Sequence, residues 1–249
     1  MQQHTVRAFD AELEDLRRSM AEMGGIAEKM LGDASAALVG HDAELAQSVI
    51  AADSRLDRLQ RDAEERAILT IARRQPLAVD LREIVSAFRI AADLERIGDL
   101  AKNIAKRVLA VRGGFHPQQV VTGLAHMTDL ALAQLKDVLD AYAQHDAEAA
   151  LAVWRRDDAI DALHNSIFRE LLTYMMEDPR NITFCTHLLF CAKNIERVGD
   201  HTTNIAETVH YLVTGQSLGG ERPKGDRTSL IGQDGEPREP GPSGHRTAP

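Results

Sequence analysis

The sequence predicts an all-α protein: two tandem three-helix bundles, six long antiparallel helices related by an internal repeat. Three observations predict it. Strand signals are nearly absent, with no long run of alternating β-branched residues and no Asn-Gly hairpin between such runs. Apolar residues recur at three/four spacing through stretches much longer than a strand. The second half also repeats the first. "HDAELAQSVIAADSRLD" begins at His41 and "HDAEAALAVWRRDDAID" at His145, an offset of 145 − 41 = 104. "ERIGDLAKN" begins at Glu95 and "ERVGDHTTN" at Glu196, an offset of 196 − 95 = 101. Supersecondary units repeated at matched offsets are the mark of tandem bundles.

The first helix is expected over about 5–38, with Phe9, Leu13, Leu16, Met20, Met23, Met30 and Ala34 on one face. Gly24-Gly25 is the place where it is expected to loosen. The second covers about 42–72, with Leu45, Val49, Leu56 and Leu59 aligned. The third runs from Pro76 to about Arg112, and Gly113-Gly114 ends it. Pro76, Pro117 and Pro179 each precede a long helical pattern, where proline is tolerated. Asp178 is the expected N-cap beside Pro179. Short connections between long helices imply antiparallel packing. The domains are therefore 1–114, 115–214, and a tail 215–249. Five of the eight prolines lie after Gly215, so the tail is expected to be disordered.

Composition narrows the function. The net charge is −9, and the excess acid lies in the helical body. Such a body suits cations or basic protein surfaces better than nucleic-acid phosphates. Cys185 and Cys191 read as small buried hydrophobes in a reducing compartment. No signal peptide is visible, because Arg7, Asp10, Glu12 and Glu14 interrupt any apolar run. No stretch approaches the roughly 20 apolar residues of a membrane span. The expected location is cytoplasmic.

The repeated acids carry the chemistry. Residues four apart share a helix face, so Glu95 and Asp99 point the same way, with Asn103 nearly joining them. Glu196, Asp200 and Asn204 repeat the arrangement. The preceding helices offer Asp53 with Asp57, and Asp157 with Asp161; Asp158 is an extra acid. These acids sit mid-helix, so capping does not explain them. Glu95 and Asp99 continue the stripe of Leu81, Val85 and Phe88, which is expected to be buried. Four carboxylates in one groove repel unless compensated. A hard or borderline cation such as Mg²⁺, Mn²⁺, Ca²⁺ or an iron ion would compensate them through oxygen ligands. Salt bridges to Arg55, Arg96 or Lys102 would do the same. His201 adjoins Asp200, but Leu100 stands at its place in the first copy, so it is a weak ligand candidate. Gly98 and Gly199 fall inside the two motifs and imply close helix approach or exposed backbone.

The segments "QPLAVDLR" (75–82), "DLERIGDLAKNIAKR" (93–107), "DPRNITF" (178–184) and "AKNIERVGDHTTNIAE" (192–207) resemble the PhoU family of bacterial phosphate-signalling proteins. The resemblance covers about 5–214 and says nothing of the tail. It implies two three-helix bundles, often dimeric, that bind multinuclear iron or other metal clusters (manganese, magnesium or zinc). On this resemblance the metal residues are Asp53, Asp57, Glu95 and Asp99, then Asp157, Asp161, Glu196 and Asp200. It also implies a negative regulator of phosphate uptake and the phosphate-starvation response. Such a regulator is an adaptor between the ATPase subunit of a phosphate ABC transporter and a sensor histidine kinase, not an enzyme. A metal-dependent hydrolase and a metal-free helical scaffold are the alternatives. No G-x-S-x-G, Cys-His pairing or P-loop pattern supports the first of these.

Overall fold

The computed structural model of the chain describes residues 2–111, 117–156 and 158–218, with side chains from residue 8. All regular structure in them is helical. The order is α1 (Gln2–Gly40), α2 (Ala43–Arg74), α3 (Ala78–Ala110), α4 (Gln118–Gln144), α5 (Ala147–Trp154), α6 (Asp158–Glu177), a 3-10 turn (Pro179–Asn181) and α7 (Ile182–Thr214). The helix end expected at Gly113-Gly114 and the tail from residue 219 lie outside the described residues.

Local chemistry sets the turns. Each copy of the His-Asp-Ala-Glu repeat places its histidine in the left-handed region, at φ 52° for His41 and 53° for His145. The aspartate that follows caps the next helix: Asp42 accepts from the Leu45 N–H, and Asp146 from those of Glu148 and Ala149. That pairing is a sharp turn followed at once by an N-cap. Asp178 accepts from the Arg180 N–H, as expected, and Pro179 opens the 3-10 turn.

α1, α2 and α3 pack on one another, as do α4, α5/α6 and α7. The helix expected in one piece after His145 comes as α5 and α6, with a turn at Arg155–Arg156. The Arg156 carbonyl accepts from Gln134 Nε2 at 2.9 Å, and its guanidinium meets Asp137 at 2.5 Å. Both partners lie on α4, which draws the turn toward that helix.

The two halves share one core. Met23, Met30 and Leu31 of α1, Leu56 of α2, Ile97 of α3, Met127 of α4 and Ile195 of α7 belong to a single buried cluster. α3 and α7 run antiparallel along the seam. Asp93 meets His201, Arg107 stacks on Phe190, and Arg82 lies against Gly215. α1 and α4 also cross the seam. A Cβ on Gly24 would come 2.6 Å from Leu139 Cδ1, so this glycine admits α4 and does not loosen α1, which continues unbroken. Cys185 and Cys191 are buried free thiols, as expected. Among the described residues no helix is long and apolar enough to cross a membrane.

Candidate functional site

The core stripe of α3 is Ile84, Ala87, Ile90, Leu94, Ile97 and Ile104. It faces α1 and α2. The acids stand beside this stripe, on the side of α3 that meets the outer edge of α2. The stripe expected to lead into them is not buried: Leu81 is 38% and Phe88 41% exposed. Periodicity aligns these residues correctly, but among the described residues no helix buries that face fully.

The first acid set comes together around a cation of the protein itself. Lys102 Nζ donates to Asp53 Oδ2 at 2.6 Å and to Asp99 Oδ1 at 2.5 Å, so it bridges α2 and α3. Arg96 adds a contact of 3.3 Å to Asp99 and one of 3.5 Å to Glu95. Arg55, the other candidate partner, turns away to Glu22 on α1. Burial raises the Glu95 carboxyl above its ordinary range, and Asp99, Asp57 and Asp53 push it the same way. That coupling places all four carboxylates in one field. Gly98 brings the helices close enough for this: a Cβ there would lie 2.3 Å from Leu56 Cδ2.

The second set is deeper. Glu196 and Asp161 are each 6% exposed. Lys193 Nζ donates to Glu196 Oε1 at 2.8 Å, while Oε2 is buried without a hydrogen-bond partner. Burial raises the Glu196 carboxyl, and the charges of Asp200 and Asp161 add to the effect. Asp157 lies outside the described residues. His201 is engaged elsewhere, with Nδ1 2.8 Å from Asp93 Oδ1 across the seam. Gly199 is buried in α7.

These sets offer carboxylate oxygens, the donor chemistry of hard cations. The orphaned Glu196 oxygen fits a cation, because a buried carboxylate oxygen left unpaired is costly. In the first set, Lys102 holds the place a cation would take. Among the described residues no group of three or more His, Cys, Asp or Glu side chains is already spaced to hold a metal ion. Lys102 is among the salt-bridge partners the sequence offers, whereas the repeat does not point to Lys193. Lys102 and Lys193 occupy different repeat positions, one three residues after the Asp and the other three before the Glu.

A pH dependence follows for the metal-free protein. A carboxyl with a raised folded-state pKa binds its proton more tightly folded than unfolded, so stability falls as pH rises through that pKa. Glu95 and Glu196 therefore destabilise the neutral protein relative to mild acid. Below the ordinary glutamate range, Glu12 and Asp178, whose partners Arg74 and Arg180 lower their pKa, reverse the trend. With chelator present, the melting temperature is expected to rise on going from pH 7 to about 5. Glu196→Gln should flatten that rise. An equal rise in the variant would show that Glu196 does not carry it.

The PhoU domain model matches residues 20–108 and 124–209. The chain belongs to the PhoU family. The family match covers both acid sets. A phosphate-specific transport system accessory protein PhoU homolog of Rhizobium meliloti (strain 1021) is 60% identical over 229 residues, 92% of this chain and 97% of that protein. The PhoU homolog of Caulobacter vibrioides (strain NA1000 / CB15N) is 50% identical over 226 residues, 91% of this chain and 98% of its own. The crystal structure of PhoU from Pseudomonas aeruginosa superposes with a TM-score of 0.81 at 41% identity, covering 84% of this chain and all of that one (100%). PhoU from Streptococcus pneumoniae, described as a phosphate transport system regulatory protein, gives 0.79 at 30% identity, covering 85% and 99%. These PhoU relatives are named for an accessory or regulatory role, and the family is not one of enzymes.

Proposed function

We propose that this protein is a cytoplasmic negative regulator of phosphate uptake and of the phosphate-starvation response. It works by protein contact, as an adaptor between the ATPase subunit of a phosphate ABC transporter and the cytoplasmic part of a sensor histidine kinase. The observation that carries the reading is the family match across both repeats, to relatives named as accessory proteins of phosphate-specific transport. A homodimer is part of the proposal. The face of α3 that carries Leu81 and Phe88 supports a docking role, since these large apolar side chains are 38% and 41% exposed. Exposed large apolar side chains grouped on one face commonly mark interaction sites.

Metal belongs to the same proposal. Asp53, Asp57, Glu95 and Asp99 would hold one ion or cluster, and Asp157, Asp161, Glu196 and Asp200 the other. Iron, manganese, magnesium and zinc are the candidates. The support is the all-oxygen donor set and the unpartnered Glu196 oxygen. A bound cation would compensate carboxylates that burial now holds uncomfortably close.

Deleting the gene is expected to switch on phosphate-starvation genes in phosphate-rich medium. The purified protein should bind the transporter ATPase subunit. Changing Leu81 to Gln together with Phe88 to Ser should weaken that binding about tenfold or more, as loss of apolar anchors does. Helical content should not change, because both side chains are exposed. Normal phosphate control in the deletion strain, with metal-dependent phosphoester hydrolysis by the pure protein, would replace this reading with an enzymatic one.

A further inference from the structure

The second acid set carries a donor type that the first lacks. His164 stands three residues after Asp161 on α6, so the two are neighbours on one side of that helix. His164 is 3% exposed, as deeply buried as Asp161 and as Glu196 on the facing α7. The charge of Asp161 is felt at Glu196, so this turn of α6 lies against the glutamate. The core stripe of α6 is Ile160, Ile167 and Leu171. At about 100° per residue, His164 falls between that stripe and Asp161, about 60° round the helix from the acid.

The first set has no such donor. The repeat offset of 104 pairs Asp161 with Asp57, and His164 with Gln60, since 164 − 104 = 60. Gln60 Nε2 donates to Glu64 Oε1 at 3.0 Å, along its own helix. Burial alone would make His164 a core histidine, and it is already engaged in the fold. Engagement and ligation are compatible, because a ligating imidazole uses one ring nitrogen and ordinarily holds the other by a hydrogen bond. The independent sign of a missing ligand is Glu196, whose Oε2 is buried without a hydrogen-bond partner. Among the described residues these donors are not gathered on one point. Glu196 Oε1 is held by Lys193, whose side chain is 45% exposed and can swing outward as an ion enters.

We infer that His164 is a metal ligand of the second set and sets its preference for zinc over manganese, whereas the first set, with Gln60 in its place, is an all-oxygen site. The inference rests on the metal reading proposed above. Imidazole nitrogen suits zinc and iron, while carboxylate oxygens alone suit manganese and magnesium. The two repeats would then hold different ions, although their acidic motifs are alike.

Two variants of the full chain isolate the sets. Glu95→Gln with Asp99→Asn leaves the second, and Glu196→Gln with Asp200→Asn leaves the first. Each is titrated with zinc and with manganese in competition with a chelating dye. The ratio of zinc to manganese affinity is expected to be about tenfold or more higher for the second set, the size of effect that follows from changing the donors around a metal. This comparison leaves His164 in place, so it holds whatever the fold makes of its loss. His164→Gln, added to the protein that keeps the second set, installs the residue of the first repeat. It should lower zinc affinity about tenfold or more and manganese affinity far less. Equal ratios for the two sets, or zinc and manganese weakened alike by His164→Gln, would overturn the ligand role and leave the metal sets standing. No saturable binding of either ion by either protein would overturn the metal reading itself, and this inference with it.

Discussion

Replacing Lys102 with methionine is expected to destabilise the metal-free protein by about 1–3 kcal/mol, the cost of losing charge-assisted hydrogen bonds at a partly buried site. The ammonium bridges Asp53 on α2 and Asp99 on α3. Without it, Asp53 loses its lysine and Asp99 is left with Arg96, in a field already shared with Glu95 and Asp57. Methionine keeps the length of the stem, so packing changes little and the effect reads as electrostatic. The same substitution should improve metal binding at the first set, because the ammonium and a metal ion compete for the same oxygens. Stability lost in chelator should therefore return when metal is added, and return further than in the wild type. Chemical denaturation with and without metal measures both. If the variant were as stable as the wild type in chelator and bound no more metal, the acids would not act as one group. As a companion measurement, changing Glu95 to Gln and Asp99 to Asn should lower total metal content by about half, if each bundle holds its own ions.

Much of this site is legible in sequence because helices impose a fixed geometry. Residues four apart share a face, so Glu95 with Asp99 and Glu196 with Asp200 follow from spacing alone. The repeat then supplies Asp53 and Asp57 as partners, and the field at Glu95 contains all of them. Periodicity does not say which face is covered. Leu81, Val85 and Phe88 align as a core stripe would, but α1, α2 and α7 occupy other sides of α3, and Leu81 and Phe88 remain 38% and 41% exposed. Contacts distant in sequence are also beyond pattern reading. His201 finds Asp93 across 108 residues, and the Arg156 carbonyl finds Gln134 in the preceding helix. The first ties His201 Nδ1 to the seam, and the second lies at a turn in a helix that local propensity would continue.

Gly98 is where the sequence and the energetics meet most directly. In a helix interior it costs about 1 kcal/mol against alanine, so an unconstrained helix would gain from the exchange. Here Gly98→Ala is expected to lose about 1–2 kcal/mol, because overpacking of a closed core outweighs that gain. The added Cβ would lie 2.3 Å from Leu56 Cδ2 and 3.6 Å from Met30 Cε. Leu56 is 0% exposed and cannot swing outward. Relief requires α2 to move away from α3, which also stretches the Lys102 bridge and the spacing of the four acids. Gly24→Ala provides the control. Its obstacle is Leu139, which is only half-buried and can rotate toward solvent, so the expected loss is smaller. A double variant, Gly98→Ala with Leu56→Ala, should cost less than the sum of its parts, since the new methyl partly fills the cavity left by the leucine. Urea denaturation of the four proteins completes the cycle. Additive losses would mean that Gly98 and Leu56 do not compete for space, and that the glycine in the acidic motif serves some end other than the close approach of α2 and α3.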